Sequence, residues 1–217
     1  MADAQLLKKD LFGEIRLSRE GDRTLIVRDI GPASAWLRWF ARRLLRTEAK
    51  ALAALTDVDG VPHIVRVERD ILVRSYIAGT PMHLARPTDP AYFKAAARLL
   101  RRLHRSGVVH NDLAKEPNLL VRNDGSPAFV DFQLAWSVSR RGRLFRLLGH
   151  EDLRHLLKHK RTYCPQLLSE RERHILANPS ILSRLWMRTG KPVYLFITRK
   201  ILGWADREGA ADRGGRS

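Results

Sequence analysis

The sequence lacks the features that mark secreted and membrane-spanning proteins. Cys164 is its only cysteine, so no disulfide can form within the chain, and a reducing compartment is the simpler expectation. No window holds the ~18 consecutive apolar residues that a membrane-spanning helix requires. Charged side chains interrupt the first ten residues, where a signal peptide would begin its apolar core. We therefore expect a cytoplasmic protein and leave peripheral contact with the inner membrane open.

Acidic residues are scarce relative to basic ones. The chain has 23 Asp and Glu against 40 Lys and Arg, which gives a formal net charge of +17. A protein with this charge attracts polyanions such as nucleic acid, anionic lipid or a phosphorylated substrate. The charge does not distinguish these partners, and no pattern in the sequence predicts an oligomeric state.

Hydrophobic periodicity predicts an α+β fold that begins with a small β-rich lobe. The hydrophobic content of 44% is typical of a globular protein, and the first part of the chain has the pattern of short strands around one helix. We expect a hairpin formed by Leu11–Leu17 and Thr24–Arg28, and then a helix over Ala33–Leu55. Two further strands should follow, over His63–Arg69 and Ile71–Tyr76.

After Gly79 the pattern becomes mainly helical. Apolar residues recur at helical spacing over Asp89–Arg105, and the apolar runs Asn118–Arg122 and Ala128–Phe132 flank a turn and predict a hairpin. Basic helical segments follow. We therefore expect three parts in the chain: a nucleotide-binding β-rich lobe, a helical lobe and a disordered, polar, Gly-rich tail, over residues 1–79, 80–204 and 205–217.

The segment with the clearest chemical content is GVVHNDLAKEPNLLVRNDGSPAFVDFQLAW, residues 107–136. It contains the triplet HND ending at Asp112, then Asn118, then the triplet DFQ beginning at Asp131. This order resembles the protein-kinase superfamily, whose catalytic loop reads His-Arg-Asp followed by Asn, with a metal-binding Asp-Phe-Gly triplet after a hairpin. The resemblance implies a minimal two-lobed kinase-like fold and an ATP-dependent phosphotransferase.

Phosphoryl transfer needs a base that orients the acceptor hydroxyl and oxygen ligands that hold Mg²⁺ against the ATP phosphates. By the resemblance, Asp112 is the candidate for the first task, and Asn118 and Asp131 are the candidate ligands of Mg²⁺ and ATP. Lys115 lies between them in sequence, and its ammonium group is suited to neutralising charge on the transferred phosphoryl group. A purely structural interpretation would instead make both aspartates turn or capping residues.

The predicted β-rich lobe offers counterparts for the rest of a kinase nucleotide site. In the family a strand lysine contacts the phosphates and pairs with a helix glutamate. Here the strand TLIVRDI carries Arg28 in place of the lysine, and the helix carries Glu48. Arginine can bind phosphate bidentately, although its geometry differs from that of lysine. Tyr76 and Ile77 begin the segment YIAG, which resembles the linker whose backbone binds adenine. We expect Arg28 and Glu48 to pair.

Other departures separate the sequence from conventional protein kinases. It has no G-x-G-x-x-G phosphate loop, and no Ala-Pro-Glu motif follows the second triplet. The interval from Asp112 to Asn118 is one residue longer than usual, and Gln133 replaces the glycine of the metal triplet. This reduced pattern resembles the atypical bacterial branch, which includes RIO-like kinases and the kinases of lipopolysaccharide inner-core sugars.

Three basic stretches bear on the identity of the acceptor. Ser34–Arg46 and Ile181–Trp204 mix basic and aromatic residues, a composition that suits an anionic membrane surface. It also suits RNA, and core packing of the aromatic residues is the plain alternative. Ser137–Arg161 is strongly basic and follows the second triplet directly, so we expect an anionic acceptor to dock there.

Three functions remain open at this point. The leading one is phosphorylation of a hydroxyl on an anionic glycolipid or lipopolysaccharide-type sugar at the inner membrane face. The second is a RIO-like serine/threonine protein kinase that acts on or near ribosomes. The third is a pseudokinase, a basic binding module in which Arg28 and Gln133 mark lost activity. Retention of Asp112, Asn118 and Asp131 together argues against the third.

Overall fold

The computed structural model describes residues 4–178, which form a β-rich lobe followed by a mainly helical lobe. The architecture is α+β and two-lobed, as the sequence predicts. The basic and aromatic stretch Ile181–Trp204 and the predicted tail at 205–217 lie outside the described residues. Within residues 4–178 no helix combines the length and apolar character needed to cross a bilayer.

A five-stranded antiparallel sheet forms most of the small lobe. Its strands are Ala4–Asp10 (β1), Gly13–Glu20 (β2), Arg23–Asp29 (β3), Ile64–Val67 (β4) and Ile71–Ser75 (β5). They lie in the order β1-β2-β3-β5-β4. Glu20 pairs with Arg23 across a two-residue turn, as in a tight hairpin. The sheet thus places β3 beside β5, the strand that leads into the linker between the lobes.

Helix α1, Arg38–Ala53, packs one face against this sheet. The buried residues of that face are Ala41, Leu45, Glu48, Ala51 and Leu52. Their helical spacing explains why this segment is an amphipathic helix. Arg42 binds both carboxylate oxygens of Asp70, at 2.6 and 2.9 Å, and so ties α1 to the turn before β5.

The helical lobe contains the remaining elements. They are Thr80–Pro81 (β6), Met82–Ala85 (α2), Pro90–Arg105 (α3), Val108–Val109 (β7), Leu119–Val121 (β8), Pro127–Phe129 (β9), Trp136–Ser137 (β10), Arg143–Tyr163 (α4) and Glu170–Ala177 (α5). Asp89 caps α3 by accepting a hydrogen bond from the backbone of Ala91 at 2.7 Å. Small sheets β6-β8-β9 and β10-β7 complete the lobe.

Two hydrophobic clusters stabilise the molecule. The smaller one lies between α1 and the sheet and consists of Ile30, Ala33, Ala41, Leu45 and Leu72. The larger one fills the helical lobe between α3, α4 and the β8–β9 hairpin. It also takes in buried residues of 51–61, at the end of α1 and just after it. Helix α1 is therefore anchored in both cores, which fixes its position relative to the helical lobe.

Most predicted elements are present with shifted ends. Strand β1 is not among the elements that the sequence predicts. Its residues 5–9 are all exposed and show no alternating hydrophobic pattern. Helix α1 begins at Arg38 rather than Ala33. The preceding residues form turns instead, with the N–H of Leu37 bonded to the carbonyl of Ser34 at 2.9 Å.

Candidate active site

The candidate catalytic loop, residues 110–118, follows β7 and ends in a 3₁₀ turn, Glu116–Asn118. Gly107 turns the chain from α3 into β7 with a φ of +76°. A Cβ at this position would lie 2.3 Å from the carbonyl oxygen of Val138, so only glycine fits. The N–H of Val138 donates to the carbonyl of Gly107 at 2.9 Å. This contact holds β7 against β10, the segment that follows the second triplet.

Asp152 of α4 anchors the loop backbone. Its carboxylate is 1% exposed and accepts hydrogen bonds from the N–H of His110 at 2.7 Å and of Asn111 at 2.9 Å. His104 of α3 places Nε2 3.3 Å from the same carboxylate. The side-chain amide of Asn111 donates to the carbonyl of Leu134 at 3.0 Å. One buried carboxylate therefore joins α3, α4 and the loop, and it holds the two residues that precede Asp112.

His110 supports the loop from the hydrophobic core. Its ring is fully buried, with its centroid 4.5 Å from that of Phe132. Nε2 lies 3.0 Å from the carbonyl oxygen of Val130, and Nδ1 accepts the backbone N–H of Asp112 at 3.3 Å. Both contacts fit a neutral imidazole protonated on Nε2. The ring thus ties the first triplet to the second.

Asp112, Asn118 and Lys115 are brought together. The side-chain amide of Asn118 donates to Oδ2 of Asp112 at 3.0 Å and to its carbonyl oxygen at 2.9 Å. Nζ of Lys115 lies 3.1 Å from the same Oδ2. Oδ1 of Asp112 accepts no hydrogen bond from residues 4–178. This free oxygen is the one that could accept a hydrogen bond from a hydroxyl group.

Burial raises the pKa of the Asp112 carboxyl above its usual value, because the charged form loses solvation. Lys115 acts in the opposite direction through its charge and hydrogen bond, and the negative charge of Asp131 raises the pKa further. Asp112 and Asp131 are therefore close enough to interact electrostatically. Two nearby carboxylates favour a cation between or beside them.

Asp131 has the features of a cation ligand. Its φ is +64°, in the left-handed region that few non-glycine residues adopt and in which Asp and Asn are enriched. Within residues 4–178 its buried Oδ1 has no hydrogen-bond partner. Asn118 uses its amide nitrogen on Asp112, which leaves its side-chain carbonyl oxygen for a ligand. Carboxylate and carbonyl oxygens suit Mg²⁺, which usually takes one or two protein ligands and completes its shell with phosphates and water.

The described residues contain no cluster of three or more His, Cys, Asp or Glu that could hold a metal by itself. A Mg²⁺–nucleotide site needs only one or two protein ligands, because phosphate oxygens and water supply the others. The residues present therefore fit the implied cofactors. The assignment of Asn118 and Asp131 as metal ligands stays a prediction.

Arg28 and Glu48 form the ion pair that the sequence predicts. Nη1 of Arg28 lies 3.0 Å from Oε2 of Glu48, and both residues are buried. Arg74 of β5 is a second partner: its Nε lies 3.0 Å from Oε1 of Glu48, as an ion pair without hydrogen-bond alignment. Glu48 therefore bridges β3 and β5 through one oxygen each. A role of Arg28 and Glu48 in ATP binding stays a prediction.

The linker residues Tyr76 and Ile77 follow β5. Tyr76 is 44% exposed, and its N–H donates to the carbonyl of Thr24 at 3.1 Å, which leaves its carbonyl oxygen and ring for a nucleotide. The N–H of Ile77 has no backbone partner in the described part of the chain. A cavity of about 420 Å³ adjoins the linker beside the turn at 122–124, but Asp112, Asp131 and Arg28 do not line it.

The fold and this arrangement of residues define a protein-kinase-like protein. A family model of the RIO domain matches residues 19–175, which is more than half of the chain, and the chain therefore belongs to the RIO family of atypical kinase-like proteins. The family is one of kinase-like, ATP-binding phosphotransferases, and the match does not single out a lipopolysaccharide-kinase branch. No curated protein matches the sequence significantly.

Sequence reasoning missed three residues that shape the site: Asp152, His104 and Arg74. Asp152 gave one usable signal, since it is one of two acidic residues in the strongly basic helix α4. Arg74 gave none, because a basic residue in a short strand is usually exposed.

Proposed function

We propose that this protein transfers the γ-phosphoryl group of ATP to a hydroxyl group, with Asp112 orienting the acceptor and with Asn118 and Asp131 holding Mg²⁺. Bound Mg²⁺ and ATP would supply the phosphoryl group and stabilise its developing charge. The observation that carries the proposal is the buried Oδ1 of Asp131, which has no hydrogen-bond partner among residues 4–178, together with the buried carboxylate of Asp112, whose pKa the negative charge of Asp131 raises. The exposed capping and turn residues Asp89 and Asp124 use one oxygen on a backbone N–H group and leave the other to solvent, whereas Oδ1 of Asp131 is buried.

The roles of the other residues follow from their positions. Oδ2 of Asp112 is held by Asn118 and Lys115, so Oδ1 is presented in a fixed orientation. The side chain of Lys115 is 55% exposed, and its ammonium can contact an anionic group while remaining near Asp112. Arg28 is held by Glu48 and is suited to bind nucleotide phosphates.

Two asparagine substitutions test the proposal. Asp131→Asn removes the charge of a metal ligand and should abolish Mg²⁺-dependent nucleotide binding in calorimetry. Asp112→Asn should retain that binding and lower turnover about 100- to 10,000-fold, because only the transfer step uses this carboxylate. Turnover is measured as transfer of labelled phosphate from ATP.

Asp57→Asn is the matched control. Asp57 is an exposed residue in the segment after α1, and it does not line the cavity beside the linker. Its substitution should change neither binding nor turnover. The proposal is wrong if Asp112→Asn and Asp131→Asn both transfer phosphate at the wild-type rate.

For the acceptor, we propose an anionic glycolipid at the cytoplasmic membrane face. Support comes from the exposed arginines Arg140, Arg141 and Arg143, which follow the second triplet. Further support comes from Trp36 and Trp39 at the start of α1, which are 66% and 67% exposed. Exposed indole rings beside basic side chains suit the interface of an anionic bilayer.

Membership of the RIO family favours the second candidate, a serine/threonine protein kinase associated with RNA or ribosomes. Flotation with anionic vesicles at low and moderate salt, beside an RNA gel shift, separates the two. The lipid proposal expects flotation that salt weakens and that a Trp36→Ser, Trp39→Ser double variant reduces. Tight RNA binding without flotation would overturn it and favour the protein kinase.

A further inference from the structure

The ion cluster formed by Arg28 of β3, Arg74 of β5 and Glu48 of α1 carries more positive than negative charge. Arg28 and Arg74 share the single carboxylate of Glu48, with one oxygen 3.0 Å from each guanidinium. The side chains are 7%, 13% and 1% exposed, respectively. Within residues 4–178 neither arginine has another acidic partner within ion-pair distance. Two cations and one anion leave a net charge of +1 in a largely buried place.

An unmatched buried charge is costly unless a ligand or another charge neutralises it. A lysine–glutamate pair of the usual kinase type has no net charge. Here Arg74 adds a second cation, so the cluster of Arg28, Arg74 and Glu48 is positively charged. Because each oxygen of Glu48 faces one arginine, Glu48 stays neutralised by Arg74 even when Arg28 turns its other N–H groups toward an anion. The cluster is therefore cationic as a whole.

The strand pairing places Arg74 where it can act on the nucleotide. Arg74 pairs with Ile26 of β3, and Arg28 lies two residues further along β3 on the same face of the sheet. Ser75 alone separates Arg74 from Tyr76, the first residue of the linker. Arg74 thus lies on the strand that leads into the linker, and its side chain contacts Glu48 of α1, the partner of the arginine expected to contact phosphate.

We propose that Arg74 is a positioning residue that neutralises Glu48 and thereby keeps the charge of Arg28 available for the phosphates of a nucleotide. The inference rests on the proposed function, because it assumes a phosphate-bearing nucleotide at Arg28. It further states that the phosphates, and not the base, depend on Arg74.

Arg74→Met tests this dependence, since methionine keeps an unbranched side chain and removes the charge. Affinity for ATP and ADP should fall about 10-fold or more, while affinity for adenosine, which has no phosphate, should not change. Arg74→Lys should restore most of the loss because it restores the charge. An equal loss for adenosine and ATP would overturn the inference, since Arg74 would then shape the base site or the fold.

A double-mutant cycle with Glu48→Gln adds a readout that a merely structural role would not move. In the wild-type background Glu48→Gln leaves two adjacent buried arginines, whereas in the Arg74→Met background it leaves one. The loss of ATP affinity caused by Glu48→Gln should therefore be at least ~5-fold smaller in the Arg74→Met background. Additive losses would contradict the inference.

The matched control is Arg66→Met, which removes an arginine from the neighbouring strand β4. Arg66 pairs with Glu68 at 2.9 Å on the surface, with both side chains about half exposed. The Arg66→Met variant should bind ATP and adenosine with unchanged affinity. Thermal unfolding should show that every variant is folded. If wild-type protein binds no ATP, the proposed function fails. If wild-type protein binds ATP and Arg74→Met binds it equally well, only the inference fails.

Discussion

The two halves of the candidate site hold their charged groups in different ways. In the helical lobe, the carboxylates of Asp152 and Asp112 are held mainly by backbone or amide N–H groups of the loop itself. In the β-rich lobe, Glu48 is held by two arginines from separate strands. The helical half is thus organised by short, directional hydrogen bonds, and the β-rich half by a cationic cluster. We expect the first to control the transfer step and the second to control nucleotide affinity.

Apart from the Asp112 and Asp131 variants described above, the largest effect should follow from substitutions in the β-rich half. Arg28→Ala removes the expected phosphate contact and leaves Glu48 with one partner, so kcat/KM for ATP should fall about 100- to 1,000-fold. Glu48→Ala should give a related loss, and the two losses should not add because both residues act in one cluster. Steady-state kinetics of the single and double variants measure this. Additive losses would separate Arg28 from Glu48 in function.

A smaller loss, of a different kind, should follow in the helical half. Asp152→Asn replaces one carboxylate oxygen by an amino group, so one loop N–H loses its acceptor and the other keeps only an uncharged one. The loop should therefore shift, and kcat should fall about 10- to 100-fold at unchanged ATP affinity. The free energy of unfolding should drop by about 2 kcal/mol, as measured by urea titration. Glu151→Gln, next on the same helix but paired with Arg154, is the control and should spare kcat. Loss of ATP affinity instead of kcat would contradict the division between the halves.

The pH dependence of kcat sharpens the comparison further. Burial raises the pKa of Asp112, and the reactive form is the carboxylate, so activity should fall as the pH drops through a value above the ordinary 3.8. Lys115 lowers this pKa, so Lys115→Met should move the acidic limb to still higher pH. Rate profiles of both proteins under saturating ATP measure the shift. If the acidic limb stays in place or moves to lower pH, Lys115 does not lower the pKa of Asp112.

The smallest effect concerns the attachment of α1. Arg42 and Asp70 are each about one-quarter exposed, so solvent screens the pair and Arg42→Met should lower the melting temperature by only about 1 to 4 °C. The difference should shrink in 1 M salt, to about half or less. Arg43→Met, an exposed neighbour on the same helix, is the control. A loss above about 8 °C would show that the pair does more than fasten α1 to the turn before β5.

The sequence predicts the local parts of this molecule well. The β2–β3 hairpin, helix α3 with its Asp89 cap, and the β8–β9 hairpin each follow from residues that are close in sequence. The fold class follows from the order of these elements. The assignments of Asp112, Asn118 and Asp131 came from a motif in one short segment, and their chemical roles still await experiment.

The parts that could not be predicted depend on contacts between distant residues. Asp152 accepts hydrogen bonds from N–H groups that lie about forty residues away in sequence. No spacing rule predicts a contact between a helix residue and a loop at that sequence separation. Arg74 reaches Glu48 only because β5 lies next to β3 in the sheet, a strand order that the hydrophobic pattern leaves open. Strand β1 lies exposed at the edge of the sheet, so its sequence lacks the alternation of apolar and polar residues that a half-buried strand would show.

The bond between Asp152 and the loop also sets an order of events in folding. The two N–H groups of the loop gain their acceptor only after α4, whose Asp152 lies about forty residues further along the chain, has formed and docked. The hydrogen bonds of Asn118 to Asp112 lie within the loop, whereas His110 and Asn111, the latter at a φ of +62°, depend on Asp152 for their backbone N–H groups. A nascent chain that ends before α4 would therefore carry all three motif residues without this anchor. We expect phosphate transfer only once the helical lobe has folded completely.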